Sequence, residues 1–250
     1  MKALITGASS GIGEQLSYVL SNYGYDLILV ATEKKKLDEV AKKCTTETKV
    51  IICDLRKEEN VIKLYEQVKT ENIDLLINNA GFGLFGTFDE TDLNRELEMI
   101  DVNVKAVHIL TKLFLKDFIK KDSGRILNVA SSAGFMAGPK LSTYYATKNY
   151  VLKLTLAIYE ELRRKKSKVH INALCPGPVD TNFNKVAKGT FAMKGLSSKY
   201  VAEYAIKKMF QNKLIIIPSL KMKLGIFGTR LLPTKLLLKI TYRIQDRKTR

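Results

Sequence analysis

Cysteine is scarce and unpaired in this 250-residue chain. The three present are Cys44, Cys53 and Cys175. Their number is odd, no C-x-x-C spacing joins them, and no histidine cluster stands near them. A disulfide framework and a zinc site are therefore not expected, no metal is assigned, and the thiols read as reduced structural groups. Long apolar runs are lacking too. None reaches 18 residues, so no spanning helix is expected. Few residues separate Met1 from the first glycine, Gly7. That leaves no room for a leader and predicts a cytoplasmic protein. Repeats, low-complexity tracts and linkers are missing as well. One domain over residues 1–250 is the economical expectation, and 46% hydrophobic residues suffice for a sizeable core.

Acidic charge is in deficit. The formal net charge is +17, which raises nucleic acid or an anionic membrane as a partner. The excess is local. Residues 212–250 hold ten Lys/Arg against one acid, Asp246, a balance of +9 that leaves +8 for the first 211 residues. Elsewhere, stretches such as "EKKKLDEVAKK" mix both signs, as a solvated helix face does. No basic stripe interleaved with aromatics and no helix-turn-helix occurs, so nucleic acid is not expected.

What is present is regular. Short continuous apolar runs recur: "KALIT", "DLILVA", "KVIICD", "IDLLINNA", "GRILNVAS" and "VHINALCP". Continuous rather than alternating runs suit strands buried on both faces, hence a parallel sheet. Between them lie helical patterns, the first carrying Ile12, Leu16, Val19 and Leu20 and ending at Gly24. Strand and helix alternate, which predicts a doubly wound α/β sheet of Rossmann type. Ligands of such sheets bind at the carboxyl ends of the strands. Several runs end there in small or polar residues: "TGASSG", "CDL", "NNAG" and "ASSAG".

The first of these is a glycine loop between a strand and a helix. "TGASSGIG" places Gly7, Gly11 and Gly13 in a G-x-x-x-G-x-G spacing. Free N–H groups and the dipole at a helix N-terminus attract an anion, and glycine lets a pyrophosphate approach the backbone. "YYATK" sets Tyr144 and Lys148 four residues apart, on one helix face. A cation there is expected to lower the phenol from about 10 toward neutrality and make it a usable acid or base. Tyr145 has Asn149 rather than a cation at that spacing. Ser131 stands 13 residues before Tyr144 at a strand end.

Taken in order, "TGASSGIG", "CDL", "NNAG", "VNV", "NVASSAG", "YYATK" and "CPGPVDT" resemble the short-chain dehydrogenase/reductase family in its single-domain form, over about residues 3–183. The resemblance implies a catalytic set of Asn103, Ser131, Tyr144 and Lys148. Tyr144 would exchange a proton with the substrate oxygen and Ser131 would hydrogen-bond it. Lys148 would tune Tyr144 and hold the nicotinamide ribose, and Asn103 would fix a water that links Lys148 to solvent. The family motif puts a glycine three residues after the serine. Gly134 therefore selects Ser131, with Ser132 the runner-up.

The resemblance also implies the cofactor contacts. Gly7, Ser9, Ser10, Gly11, Ile12 and Gly13 would cradle the pyrophosphate. Asp54 and Leu55 would meet the adenine, and Asn79, Ala80 and Gly81 the adenosine ribose. Tyr144 and Lys148 would meet the nicotinamide half, with Pro176, Gly177 and Val179 along its ring. Thr181 would lie near its carboxamide or the pyrophosphate. Ala31 stands where a carboxylate would select NAD(H), and Ser10, Thr32, Lys34 and Lys35 could bind a 2′-phosphate. NADP(H) is expected over NAD(H), although Glu33 argues the other way.

Substrate choice in the family lies behind "PGPVDT". In the expected substrate loop and helices, 182–211, Phe183, Val186, Phe191, Met193 and Leu196 would form an apolar lid. A 3-oxoacyl thioester, ketone or aldehyde would suit it. The extension 219–250 mixes Leu/Ile with Lys/Arg at near-helical spacing. Two expectations stand for it: an amphipathic contact with anionic lipid or an acidic carrier, or a helix packed over the cleft or a subunit interface. Family members often pair through helices like those expected around 92–121 and 144–166, so a homodimer or tetramer is expected. The rival functions are a cofactor sensor without turnover and an NAD(H)-dependent alcohol or sugar dehydrogenase.

Overall fold

The structure, a computed structural model, describes residues 1–181, 187 and 195–246. The six apolar runs form six strands: β1 (Lys2–Thr6), β2 (Asp26–Ala31), β3 (Thr48–Ile52), β4 (Leu75–Asn78), β5 (Arg125–Val129) and β6 (His170–Leu174). Two short strands, β7 (Val179–Asp180) and β8 (Leu196–Ser197), pair with each other. A last strand, β9 (Ile215–Ile216), closes one edge of the main sheet. Its order is β3-β2-β1-β4-β5-β6-β9, and every pairing is parallel. The winding reverses between β1 and β4. Such a reversal opens a crevice at the strand ends.

The helices are α1 (Gly11–Asn22), α2 (Lys34–Ala41), α3 (Glu58–Val68), α4 (Leu93–Ile100), α5 (Val107–Lys120), α6 (Ser142–Arg164) and α7 (Ser198–Phe210). They cover both faces of the sheet. Ala3, Ile5, Leu27, Leu29 and Ile77 pack on Leu16 and Leu20 of α1 and on Val201, Ile206 and Met209 of α7. Alternate residues Leu4, Ile28, Leu76 and Ile126 pack on Leu64 of α3, Phe114 and Phe118 of α5 and Leu162 of α6. Both sets are almost wholly buried, which is why the strand sequences run apolar without alternation. Each such side chain larger than alanine contributes about 1.5–3 kcal/mol by leaving water.

Three features depart from the simple pattern. The helix expected around 92–121 is α4 and α5 joined through a π-helical turn, Asp101–Ala106, with Asn103 inside it. Asn78 and Asn128 sit directly opposite each other in the sheet core. Asn78 Nδ2 donates to Asn128 Oδ1 (2.9 Å) and Thr111 Oγ1 (3.0 Å), and Asn128 Nδ2 donates to Thr155 Oγ1 (3.0 Å). These bonds tie β4 and β5 to α5 and α6 just below the strand ends. Finally, the basic extension forms two helices, α8 (Leu220–Thr229) and α9 (Thr234–Asp246). Of the expected lid, Leu196 lies in β8, whereas Phe183, Val186, Phe191 and Met193 lie outside the described residues.

Candidate active site

The β1–α1 turn is locked to the β4 turn before any ligand chemistry is considered. Thr6 Oγ1 accepts from the N–H groups of Asn79 (3.0 Å) and Ala80 (3.1 Å). Asn79 Nδ2 donates to the carbonyls of Thr6 and Gly7, each at 3.0 Å. Gly7 and Gly11 have φ of +64° and +60°, which disfavours any other L-residue there. A Cβ on Gly13 would stand 2.2 Å from the Gly7 carbonyl oxygen, so α1 rests directly on the loop. Ser10, at the N-cap of α1, makes no side-chain capping bond. The first N–H groups of α1 and its dipole therefore face a cavity lined by Gly7, Ser9, Ser10, Gly11 and Ile12. Donors, charge and missing side chains together fit a pyrophosphate.

That cavity has a volume of about 860 Å³ and runs from the glycine loop to the carboxyl ends of β4, β5 and β6. Asn79, Ala80, Gly81, Ser131, Tyr144, Lys148, Pro176, Gly177, Val179 and Thr181 line it, as do Ser132 and Tyr145. Ser131 stands two residues past the end of β5, at the start of the turn Ser132–Phe135, and is buried. Its Oγ accepts from the Ala133 N–H at 3.1 Å, and its hydroxyl hydrogen-bonds Tyr144. Ser131, rather than Ser132, is thus brought to the phenol. Gly134 has a physical reason as well: a Cβ there would lie 2.8 Å from the Lys148 carbonyl, so the turn after Ser131 presses on α6. Asn149 clamps the same turn, donating to the carbonyls of Ala133 (3.0 Å), Met136 (2.9 Å) and Tyr145 (2.9 Å).

Lys148 is 5% exposed, and its Nζ donates to the Val129 carbonyl at 2.8 Å. The ammonium lies 5.9 Å from the centre of the Tyr144 ring. The expected lowering of the Tyr144 pKa does not appear. Burial instead pushes the phenol up to about 12, with the Ser131 bond opposing it. Burial also pushes Lys148 down to about 8. Removing both groups from water disfavours each charged form, and burial is the leading cause of both shifts. Near neutral pH this leaves a protonated phenol beside a charged lysine whose own deprotonation lies little more than a unit higher. Cys175, fully buried, is pushed up to about 12 for the same reason.

Asn103 lies behind the cavity wall, fully buried. Its Oδ1 accepts from the Phe82 N–H (3.0 Å), and its Nδ2 donates to the Phe82 carbonyl (2.9 Å) and to Thr147 Oγ1 (3.1 Å). Both amide protons are used, which leaves the second Oδ1 lone pair for a water. A Cβ on Gly81 would lie 2.9 Å from Asn103 Oδ1 and 3.3 Å from Lys148 Nζ, so the three positions meet closely.

The adenosine-side residues are less gathered. Thr32, Lys34, Asp54 and Leu55 follow β2 and β3 and do not line the cavity. Lys34 pairs with Asp38 at 2.7 Å. The Asp54 carboxylate is gripped by Arg56 at 2.7–3.1 Å, which holds it below the usual carboxylate range.

Several cavity residues were not legible as such. Met222, Ile226, Leu231, Leu232, Leu237, Ile240 and Ile244 of the extension roof the cavity. Met222 packs on Gly177, where a Cβ would meet its Cγ at 2.9 Å. Gln245, 3% exposed, donates from Nε2 to the Tyr145 hydroxyl at 2.5 Å, and its Oε1 is buried without a partner. Alternation of Leu/Ile with Lys/Arg after residue 219 signalled helices here, but not which side faced the cavity.

Residues 1–190 match the sequence model of the family described as short chain dehydrogenase. An uncharacterized oxidoreductase of Staphylococcus saprophyticus is 34% identical over 215 residues, covering 84% of this chain and 91% of that protein. The very-long-chain 3-oxoacyl-CoA reductase of Anas platyrhynchos is 30% identical over 201 residues, covering 76% of this chain and 63% of the relative. Among solved structures, a short-chain dehydrogenase from Sphingobium yanoikuyae in complex with NADPH superposes with a TM-score of 0.83. Its sequence is 26% identical, and the match covers 92% of this chain and 93% of that one.

Proposed function

The chain belongs to the short-chain dehydrogenase family and is an NAD(P)-dependent oxidoreductase; from that premise we propose that it reduces the carbonyl group of an apolar substrate with NADP(H). The observation that carries this reading is one continuous cavity of about 860 Å³. It joins the glycine loop to Tyr144 and is roofed by aliphatic side chains of α8 and α9. When bound, the nicotinamide supplies the hydride. The chain's own residues do the rest. Tyr144, kept protonated by burial, gives its proton to the substrate oxygen. Ser131 hydrogen-bonds the same oxygen as negative charge develops on it. Lys148 holds positive charge beside the phenol and takes ribose hydroxyls. Asn103 fixes the Gly81–Phe82 segment against Lys148 and offers its remaining lone pair to a water. Gly7, Ser9, Ser10, Gly11 and Ile12 hold the pyrophosphate, Gly13 lets α1 rest on that loop, and Thr181 and Val179 border the nicotinamide end.

For NADP(H), support comes from Ala31, which puts no carboxylate at the end of β2, with Thr32, Lys34 and Lys35 following. One similar structure, from Sphingobium yanoikuyae, holds NADPH and another, from Burkholderia phymatum, holds NAD, so the preference rests on the residues after β2. Lys34 would have to leave Asp38 to take a phosphate. Titration with both nucleotides tests the preference: NADPH should bind at least tenfold tighter than NADH, and equal binding would end it. For a 3-oxoacyl thioester or a bulky ketone, support comes from the aliphatic roof and from the acyl-CoA reductase relative.

The catalytic unit in this reading is one domain that includes the 219–250 extension, because α8 and α9 complete its cavity. Free thiols at Cys44, Cys53 and Cys175 favour a reducing, cytoplasmic location. Leu93, Leu97 and Ile100 of α4 and Tyr150 of α6 are exposed and favour a homodimer through those helices. Light scattering of the purified protein checks this, and a monomer at micromolar concentration would exclude it.

A further inference from the structure

The outward faces of α8 and α9 carry a pattern that the chemistry in the cavity does not require. Leu220, Leu224 and Phe227 recur four and three residues apart along α8, and Leu231 extends the stripe beyond it. These four are 62–71% exposed. On α9, Leu236, Ile240 and Ile244 recur every four residues and are also exposed. A helix on a protein surface ordinarily turns such a stripe inward. Here the inward side of α8 is taken by Met222, Gly225 and Ile226, which line the cavity.

Cations surround the stripe. Lys221, Lys223, Arg230, Lys235, Lys239 and Arg243 lie on or between the two helices. The one acid from residue 220 to 246 is Asp246, and it is paired with Lys140 at 2.5 Å. A second copy of this chain laid on the same face would bring like charge onto like charge. Nucleic acid would match the cations but leave the leucines and phenylalanine in water. An anionic bilayer satisfies both, taking the apolar stripe into the headgroup–acyl boundary and setting the cations among phosphates. No helix among the described residues is long and apolar enough to cross a membrane, so contact would be made from one side.

The cavity shares this face. Leu231, Leu232, Ile240 and Ile244 line it and are exposed at the same time. We propose that α8 and α9 dock the enzyme on an anionic lipid surface with the mouth of its cavity toward the bilayer, so that an apolar substrate passes between lipid and cavity.

Vesicle flotation tests this without any assay of turnover, so failure of the reductase reading would not affect the result. The full chain is mixed with phosphatidylcholine vesicles, with or without phosphatidylglycerol. It should float with the anionic vesicles alone and release as salt screens the cations. Leu224→Gln with Phe227→Gln, both exposed and outside the cavity wall, should melt like wild type and bind at least tenfold more weakly. Lys235→Gln with Lys239→Gln removes two surface cations and should weaken binding by roughly 30-fold. Three outcomes would overturn the proposal. The chain could fail to float with either vesicle. It could bind both equally. The Leu224/Phe227 variant could split a dimer, or lose an acidic carrier protein, while flotation was never seen; the face would then belong to a protein contact.

Discussion

Replacing Thr6 by valine keeps the shape of the side chain and removes one oxygen. That oxygen accepts from two N–H groups, those of Asn79 and Ala80, and donates to the Ile77 carbonyl at 3.4 Å. Thr6 is 2% exposed, so water cannot easily replace it. Leaving a buried donor unpaired costs about 1–3 kcal/mol, and two donors are orphaned, so the loss is about 2–6 kcal/mol. Against a total stability of about 5–15 kcal/mol this is large. Urea unfolding followed by circular dichroism should show it. With a slope of about 3 kcal/mol per molar, the midpoint falls by roughly 1–2 M. Thr6→Ser keeps the oxygen and loses one methyl, which costs about 1 kcal/mol. The variant also frees the β4 turn that borders the nucleotide cavity, so NADPH affinity should drop about tenfold in Thr6→Val and little in Thr6→Ser. If Thr6→Val unfolds with the serine variant or with wild type, the clamp between the two turns does not carry the stability assigned to it.

Other predictions concern Lys148 and the tail. Lys148 has its pKa lowered from 10.5 to about 8 by burial. Below pH 8 the folded state bears the full penalty of a buried charge, about 3 kcal/mol, which fades as pH rises from 8 toward 10.5. Lys148→Met should thus abolish turnover yet raise stability at pH 7 by about 1–2 kcal/mol, after loss of the bond to Val129; a lower urea midpoint would contradict this. Carbonyl reduction should be level from pH 6 to 8 and then fall about tenfold per unit as Lys148 discharges, with Tyr144 still protonated. A rate unchanged to pH 10 would remove the lysine's charge from the mechanism. Gln245→Leu deletes the bond to Tyr145 but also an unpartnered buried oxygen, so its net effect on stability should be under about 1 kcal/mol. Tyr145→Phe leaves Gln245 buried with neither end paired and should cost about 1–3 kcal/mol. The reverse order in urea unfolding would show that Gln245 acts chiefly as a tether.

Much of the fold could be read because its signals are local. The strand runs are continuous since helices cover both faces, and β1 and β2 coincide with "KALIT" and "DLILVA". Gly7 and Gly11 stand where backbone geometry demands them, and Tyr144 and Lys148 do share one face of α6. What spacing could not convey was what packs around each group. The four-residue interval predicts a lowered phenol, yet surrounding walls push Tyr144 the other way. The π turn at Asn103 leaves no trace in the apolar periodicity, because α4 and α5 continue on both sides of it. Gln245 reaches Tyr145 across 100 residues of chain, and only the docking of α9 brings them together. A helix over the cleft is one of the two expectations for the extension, but which of its residues form the roof is not legible. Its helices carry apolar residues on both sides, so composition does not say which side turns inward.

The central claim is that Tyr144 delivers a proton to a carbonyl oxygen in this cavity. Nicotinamide absorbance, followed with NADPH and a short 3-oxoacyl thioester or a bulky ketone, tests it most directly when wild type is set against Tyr144→Phe. Wild type should consume NADPH in proportion to carbonyl reduced, and the variant should lose at least a thousandfold in kcat while still binding NADPH. A phenylalanine variant that turns over like wild type would contradict the account.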